Sequence, residues 1–528
     1  MKTTRSNGGM VTAPHALAAQ AGARILAEGG NAIEAALAVA ATLTVVYPHM
    51  TGVGGDSFWL IAEPGRAPVT IDGAGRAGAA VDVGFYRDRG LRDIPWRGAM
   101  AANTVAGAVS AWAAACEISQ QWNGRLPLTR LFEEAMALAE HGTVVSASHG
   151  DTLARLRSTL EPVPGFCALH YIDGAPPAEG ALLRQPALAQ TLRLLGSDGL
   201  DSFYRGALAA QIAAELSAAG APLSGADLAG QRAAVGGPLR LALPMAELFN
   251  CGPPSQGLAS LMILGIFSRL PVAPPETFAH VHGLVESTKL AFAIRDREIG
   301  HREDDGAVLE RFLDAAALER TASRIDPHRA APWQPGGGDG DTVWFGVIDA
   351  AGRAVSALQS LYFEFGSAVG LPESGFVWQN RGAAFRLGGS GPNVLAPGRK
   401  PFHTLNPGFA RFRDGRTMVY GAMGGDGQPQ TQAAIFTRYA FYGRDLQEAI
   451  SAPRWLLGRS WGESSSALRL ENRFPVELFD QLREAGHPVE RVAAFDQLMG
   501  HAGAIVHFGA QGYEGASDPR SDGAAIGC

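Results

Sequence analysis

The chain has 528 residues, 46% hydrophobic and 18% charged, with a formal net charge of −7. This is globular composition with ample apolar material for a large core, and length alone suggests roughly three domains as a loose prior. No basic block is present, which argues against nucleic acid or an anionic membrane as partner. The four cysteines, Cys116, Cys167, Cys251 and Cys528, are scattered without a C-x-x-C pair, so neither a zinc site nor a disulfide framework is signalled.

The opening MKTTRSNGGMVTAPHA has charges but no apolar stretch, so no secretory signal is read and a cytoplasmic location is expected. Residues 11–50 predict a helix and then a second one in GGNAIEAALAVAATLTVVYP. There Asn31 can cap and Glu34, three residues on, can reach back. Its apolar density predicts a buried helix, and the run Ala35 to Tyr47 is too short to span a bilayer. TGVGGDSFWLIAEPG reads as a glycine turn, Gly52 to Gly55, then a strand from Ser57 to Ala62. A further strand ends at Asp72. Residues 105–240 read as mostly helical, and helices are expected from about Gly257 and over 277–300.

Past the tract Gly336 to Asp341 the texture changes. TVWFGVID and AVSALQSLYFEFG read as two strands joined by a tight turn at Gly352. Strands are also expected at GFVWQN and TMVYGAMGG, and helices at Thr431 to Tyr442 and Val476 to Ala485. The chain thus divides into a helix-rich first part and a strand-rich second part, with the boundary at the glycine tract.

Several motifs carry little. TGVGGD lacks the lysine of a phosphate loop and the acidic residue of a dinucleotide fold. GGDGDT half-matches a calcium repeat but occurs once. His280 and His282, two apart on a helix, point to different faces and read as a surface pair, poorly placed for joint metal ligation. No G-x-S-x-G is present. Nothing signals a cofactor.

Thr342 is a different case. A threonine at a strand start is ordinary, but this one follows a tract able to adopt the geometry for attack on the carbonyl of Asp341. Cleavage between Asp341 and Thr342 would free an α-amine with a reference pKa near 8, a suitable base for the threonine's own hydroxyl. Gly424 and Gly425, adjacent glycines at a strand end, could present N–H groups to an oxyanion. A plain glycine turn is the simpler interpretation of that pair.

Together these residues resemble the γ-glutamyltranspeptidase-like N-terminal-nucleophile hydrolases. The resemblance runs through APHALAAQAGARILAEGGNAIEAALA, TGVGGDSFWL, PPSQG, DTVWFGVIDAAGRAVS, GSGPNVLAPGRKPFHTLNP, AMGGDGQPQTQ, SAPRW and GASDPRSDGAA, in that order over nearly the whole chain. It implies an α+β fold, a four-layer αββα sandwich. It also implies a precursor that cleaves itself into a large subunit, 1–341, and a small subunit, 342–528, intertwined as one domain. The implied activity is that of a threonine amidohydrolase acting on linear amides. Thr342 would be its nucleophile, Gly424 and Gly425 its oxyanion hole, and Ser360 a residue orienting the threonine hydroxyl. A homodimer of the processed pair is compatible with the resemblance.

The departures bear on the substrate. The family grips the glutamyl α-carboxylate with an arginine two residues after an aspartate. Here Asp72 is followed by Gly73 and Ala74, and the nearest arginine is Arg76. The acidic residue that holds the α-amino group is replaced by Ala384, and a paired serine motif by His403 and Thr404. A buried ammonium without a counter-charge is costly. The expected substrate is therefore a small anionic amide without an ammonium group. Oxamate is the smallest such molecule, hydrolysed to oxalate and ammonia in purine or allantoin breakdown. Arg76 is the first choice for its carboxylate, with Arg381, His403 and Thr404 next, since an arginine fork donates two parallel bonds. The alternatives are a γ-glutamyl hydrolase or transferase, a cephalosporin (glutaryl) acylase, and a self-cleaving binding protein.

Overall fold

The computed structural model describes residues 1–302, 307–333, 341–458 and 465–528. The tract 336–340, expected to precede the cleavage point, lies outside the described residues. Two antiparallel sheets, each of seven strands among the described residues, form the centre. The first runs Ala524–Gly527, Met10–Ala13, Asp341–Ile348, Ala354–Tyr362, Asp56–Ala62, Val69–Gly73, Ala234–Gly236. The second runs Thr4–Ser6, Tyr513–Ser517, Ala502–His507, Thr417–Ala422, Gly408–Phe412, Ala246–Asn250, Leu239–Ala242.

Side-chain alternation explains why these strands stack as two inner layers. In Asp341–Ile348, Val343, Phe345 and Val347 face one way, into a core shared with helices Ala16–Ala27, Ala32–Val46 and Ala108–Gln121. Trp344 and Ile348 face the other way, into an inter-sheet layer with Phe58, Leu60, Phe249, Phe409, Val419 and Ile505. A strand buried on both faces reads as a continuous apolar run. Trp344 fits because bare backbone lies against its indole: a Cβ at Gly421 would come within 2.1 Å of the ring and one at Gly503 within 2.4 Å. The second sheet's outer face packs on helices Gly257–Phe267, Phe278–Glu298 and Gly427–Phe436. The result is the four-layer αββα sandwich that the family resemblance implies.

Local signals translate well. Ala32–Val46 is buried at every residue, and Asn31 and Glu34 form the capping box. The hairpin turns at Gly352, φ 75°. Other expectations are corrected. The segment 10–13 is a strand before the first helix begins, and the helix expected at Thr431 starts four residues earlier, at Gly427, and ends in a π turn, Thr437–Phe441. GFVWQN contributes only the two-residue strand Phe376–Val377. The helix-rich first part and the strand-rich second part are both present, and they interleave: each sheet takes strands from both sides of Thr342. His280 and His282 are buried, not a surface pair. His280 accepts from the N–H of Glu276, and His282 bonds to His487 and the carbonyl of Asp326.

A second buried histidine group joins the two halves of the chain. His49 stacks on His149 with ring centroids 5.2 Å apart, His149 meets His170 edge-on at 6.3 Å, and Tyr47 bridges to His501 by a 3.3 Å hydrogen bond. Burial pushes all four imidazoles down, His149 and His501 to about 4 and His170 to about 3. Folding therefore leaves them neutral while the unfolded chain binds protons below about pH 6.5. Stability is full above that value and falls as the pH drops from there toward about 4. Among the described residues neither ring nitrogen of His170 has a hydrogen-bond partner. His170→Phe should therefore raise the melting temperature near pH 5 and leave it unchanged near pH 8, as measured by calorimetry across a pH series.

Candidate active site

Thr342 is one residue into the strand Asp341–Ile348 and is fully buried. The hairpin register shifts there: Asp341 pairs with Tyr362 but Val343 with Gln359, a bulge that turns the chain at the threonine. The amide of Gln428 donates to the Thr342 hydroxyl at 3.3 Å. Gln428 is held in turn by Asn406, whose Nδ2 donates to its Oε1 at 3.0 Å and to the Thr404 carbonyl at 2.7 Å.

Gln428 is placed by the turn GGDG, which links strand Thr417–Ala422 to helix Gly427–Phe436. Gly424 and Gly425 have φ 112° and 49°, a region that favours glycine. Among the described residues their N–H groups donate to no protein acceptor. The turn is clamped from behind. The carbonyl of Gly425 accepts from Gln256 Nε2 at 2.9 Å, Gln256 Oε1 accepts from Arg295 at 3.0 Å, and Arg295 pairs with Asp426 at 2.5 Å, both side chains buried.

Beside this turn lies a buried cation. Arg381 stacks on the Tyr362 ring, 3.7 Å from guanidinium carbon to centroid, and its Nη2 donates to Thr404 Oγ1 at 3.1 Å. Among the described residues its Nε and Nη1 have no hydrogen-bond partner. Burial pulls its pKa down to about 10. Tyr362 is set under it by a positive φ of 86°, a strain of about 1–3 kcal/mol for a residue with a side chain. Asp56, at the start of strand Asp56–Ala62, is fully buried. Its Oδ1 accepts from the N–H groups of Gly75 and Gly107, each at 3.0 Å, and from Gln379 at 2.9 Å. Its Oδ2 meets His403 Nε2 at 3.1 Å. Burial pushes Asp56 up to about 7 against the opposing pull of Arg381, and pushes His403 well below the ordinary imidazole range.

The fold thus gathers Thr342, Gly424, Gly425, Arg381, His403 and Thr404 at one end of the sandwich. Ser360 is two residues before Tyr362, its backbone paired with Asp56, and its hydroxyl accepts from the N–H of Tyr362 at 2.8 Å. Arg76 is exposed. Its Nη1 donates to the Gly398 carbonyl at 2.9 Å, and it lines a cleft of about 450 Å3 with Asp72 and Lys400, themselves paired at 2.7 Å. Of the two arginines, Arg381 is thus the buried one with an unpartnered edge among the described residues, and Arg76 the exposed one. Asp56, Tyr362 and Gln428 were not singled out from sequence. For Asp56 the signal was available: an aspartate at the entry to an apolar strand, SFWLIA, is buried with that strand.

Among the described residues, His282, Glu286 and His487 place ligand-type atoms within 4.8 Å of one another. Yet Lys289 donates to Glu286 at 2.7 Å and the two imidazoles bond to each other at 2.9 Å. The group is a hydrogen-bonded strut in which, among the described residues, His487 Nδ1 alone lacks a partner, and an ammonium at that position opposes a cation. No helix among the described residues is long and apolar enough to cross a membrane.

The family model described as gamma-glutamyltranspeptidase matches residues 18–528. The chain belongs to the γ-glutamyltranspeptidase family. Like its relatives there it is a hydrolase of amide bonds. It is 52% identical over 523 residues, 99% of each chain, to the oxamate amidohydrolase proenzyme of Klebsiella pneumoniae. It is 40% identical over 98% of each chain to the glutathione hydrolase-like YwrD proenzyme of Bacillus subtilis. Among solved structures, cephalosporin acylase from Bacillus halodurans superposes with a TM-score of 0.91 at 30% identity, covering 100% of this chain and 97% of that one.

The clamp behind the glycine turn makes the geometry of that turn dependent on a buried ion pair. Asp426→Asn removes the charge facing Arg295 and leaves Asp296 as its remaining carboxylate partner. A stability loss of about 3 kcal/mol is expected in denaturant titrations, with a larger fractional loss of turnover than of substrate affinity.

Proposed function

We propose that the chain cleaves itself between Asp341 and Thr342, and that the freed threonine hydrolyses a small amide bearing a carboxylate, oxamate before others. The segments 1–341 and 342–528 are then the large and small subunits of one enzyme. The Thr342 hydroxyl attacks the amide carbon while its own α-amine takes the hydroxyl proton. The N–H groups of Gly424 and Gly425 receive the oxyanion. Collapse breaks the C–N bond, and the α-ammonium returns its proton to the departing ammonia. Water then attacks the threonyl ester by the same route, releasing oxalate and the free hydroxyl. Gln428 holds the attacking oxygen, and Ser360 fixes the strand end beside it.

The observation that carries the substrate assignment is the guanidinium edge of Arg381, buried, with Nε and Nη1 unpartnered among the described residues. A fork of two N–H groups suits a planar carboxylate, and burying it without one is costly. Tyr362 covers one face of that guanidinium, and alanines stand at 383 and 384, so an ammonium group would find no counter-charge from that segment. The name of the Klebsiella relative, an oxamate amidohydrolase, agrees with a substrate of this kind. The likeness to cephalosporin acylase keeps a longer acyl group as the second reading, and comparing turnover of oxamate with that of glutaryl and γ-glutamyl anilides separates the two.

Freshly purified protein should give two fragments by denatured mass, the second beginning at Thr342. Thr342→Ala should remain one chain, and Thr342→Ser should cleave and retain amidase activity. An intact wild-type chain over days would remove the nucleophile assignment. Arg381→Met should lower kcat/KM for oxamate by about 100-fold or more, mainly through KM, since two charge-assisted bonds are lost. An unchanged KM would exclude Arg381 as the carboxylate's partner.

A further inference from the structure

The charges around Arg381 balance only while the site is empty. Among the described residues its guanidinium is the one cation acting on Asp56, and that carboxylate is the counter-charge. His403 adds nothing: the Leu405 N–H can only donate, and it points at His403 Nδ1 at 3.5 Å, so the ring proton sits on Nε2 and is given to Asp56. Other charged groups lie near: Asp426 acts on Tyr362 and pairs with Arg295, and cleavage would add the α-amine of Thr342. Lys400, which faces His403, is paired with Asp72. Tyr204 and Tyr362 are phenols pushed further toward their neutral form by burial. A carboxylate arriving on the free edge of Arg381 therefore leaves the buried site one negative charge in excess, with Asp56 and the ligand competing for the same guanidinium.

We propose that the buried Asp56–His403 pair takes up a proton when a carboxylate docks on Arg381, so that recognition of the anion is coupled to protonation. The inference rests on Arg381 being the carboxylate's partner. The proton comes from solvent and is released when the product leaves. It titrates the pair and not one residue, since the two side chains share a single hydrogen bond. Asp56 already stands at about 7 in the empty site, and a bound anion weakens the hold of Arg381 on its charged form, which raises it further. Between those two values binding consumes a proton. Affinity then falls as the pH rises above about 7, by at most tenfold per pH unit, and is flat below it. Asp56 and His403 act as positioning and charge-compensating residues. They keep the site from holding an anion at the price of a second buried negative charge, and they favour substrates with one carboxylate beside a neutral group.

Oxalate, the product of the proposed reaction, is the probe. Titrated calorimetrically into the cleaved protein near pH 8, it should show heats that differ between phosphate and Tris buffers by a substantial fraction of one proton per oxalate. Asp56→Asn should bind oxalate with that buffer dependence abolished, which also separates this pair from the α-amine of Thr342. Should Asp56→Asn fail to fold, His403→Gln removes the imidazole from the pair and should change the proton count in the same direction. Oxalate bound with no buffer dependence overturns the coupling and leaves the amidohydrolase assignment standing. A dependence that survives in Asp56→Asn overturns the assignment to this pair. Oxalate binding unchanged in Arg381→Met overturns the anion site itself, and absent oxamate turnover with intact, proton-coupled oxalate binding overturns only the substrate.

Discussion

The carboxylate of Asp56 is the tie on which the site depends. It is fully buried, and its four donors come from four separated segments: Gly75, Gly107, Gln379 and His403. An unpaired carboxylate at that depth would be neutralised or expelled, so each donor is a condition for the others staying in place. Gly75 fixes the loop after strand Val69–Gly73, and Gly107 fixes the start of helix Ala108–Gln121. Gln379 fixes the segment that presents Arg381. His403 fixes the segment PFHTLNP, which carries Thr404 and Asn406 and so reaches Gln428 and Thr342 through three further hydrogen bonds. One charge thus sets the distance between Arg381 and Thr342.

The same sharing explains how a chain cut before Thr342 would hold together. The strand Asp341–Ile348 lies between Met10–Ala13 on one side and Ala354–Tyr362 on the other, and the next strand in the sheet is Asp56–Ala62. Its apolar residues face a helical core built mostly from residues before Thr342 and an inter-sheet layer built from both sides. Separating the halves would expose both layers at once, and cutting one peptide bond changes neither. A new amine at the end of such a strand has little freedom, which is what a base acting on its own side chain requires.

What the sequence made legible were relations within a few residues. The capping of Ala32–Val46 by Asn31 and Glu34 is an i, i+3 matter, and the hairpin around Gly352 is set by its own turn. The glycine pair at 424 and 425 is recognisable because positive φ demands it. The motifs that placed Thr342 were likewise contiguous. What stayed hidden was long-range. Asp56 and His403 are 347 positions apart, and no periodicity links them. Arg76 was preferred to Arg381 because it follows the strand end that the family uses, yet the direction of a guanidinium is decided by what closes over it. Gly398 draws Arg76 outward, while Tyr362 and Thr404 enclose Arg381. His280 and His282 looked exposed for a related reason: the helix Phe278–Glu298 has weak apolar periodicity, and its polar residues are satisfied by partners such as Thr437 and His487.

Substrate choice in this architecture comes down to where charge can be tolerated. A γ-glutamyl substrate brings an ammonium and a carboxylate together, so its site must carry both signs. Here Ala384 stands where the acidic partner would be, and the imidazole of His403 and the ring of Tyr362 occupy space that small polar side chains could otherwise fill. Among the described residues Arg381 and Asp56 are opposite buried charges acting on each other, and the Nε and Nη1 of the cation have no hydrogen-bond partner. On the proposed function such a pair would attract a carboxylate and disfavour a zwitterion, whose ammonium would be desolvated without a partner. The strain held at Tyr362 belongs to the same arrangement: a relaxed backbone there would withdraw the ring from Arg381, leaving the guanidinium open to water and its electrostatic hold on a ligand weakened.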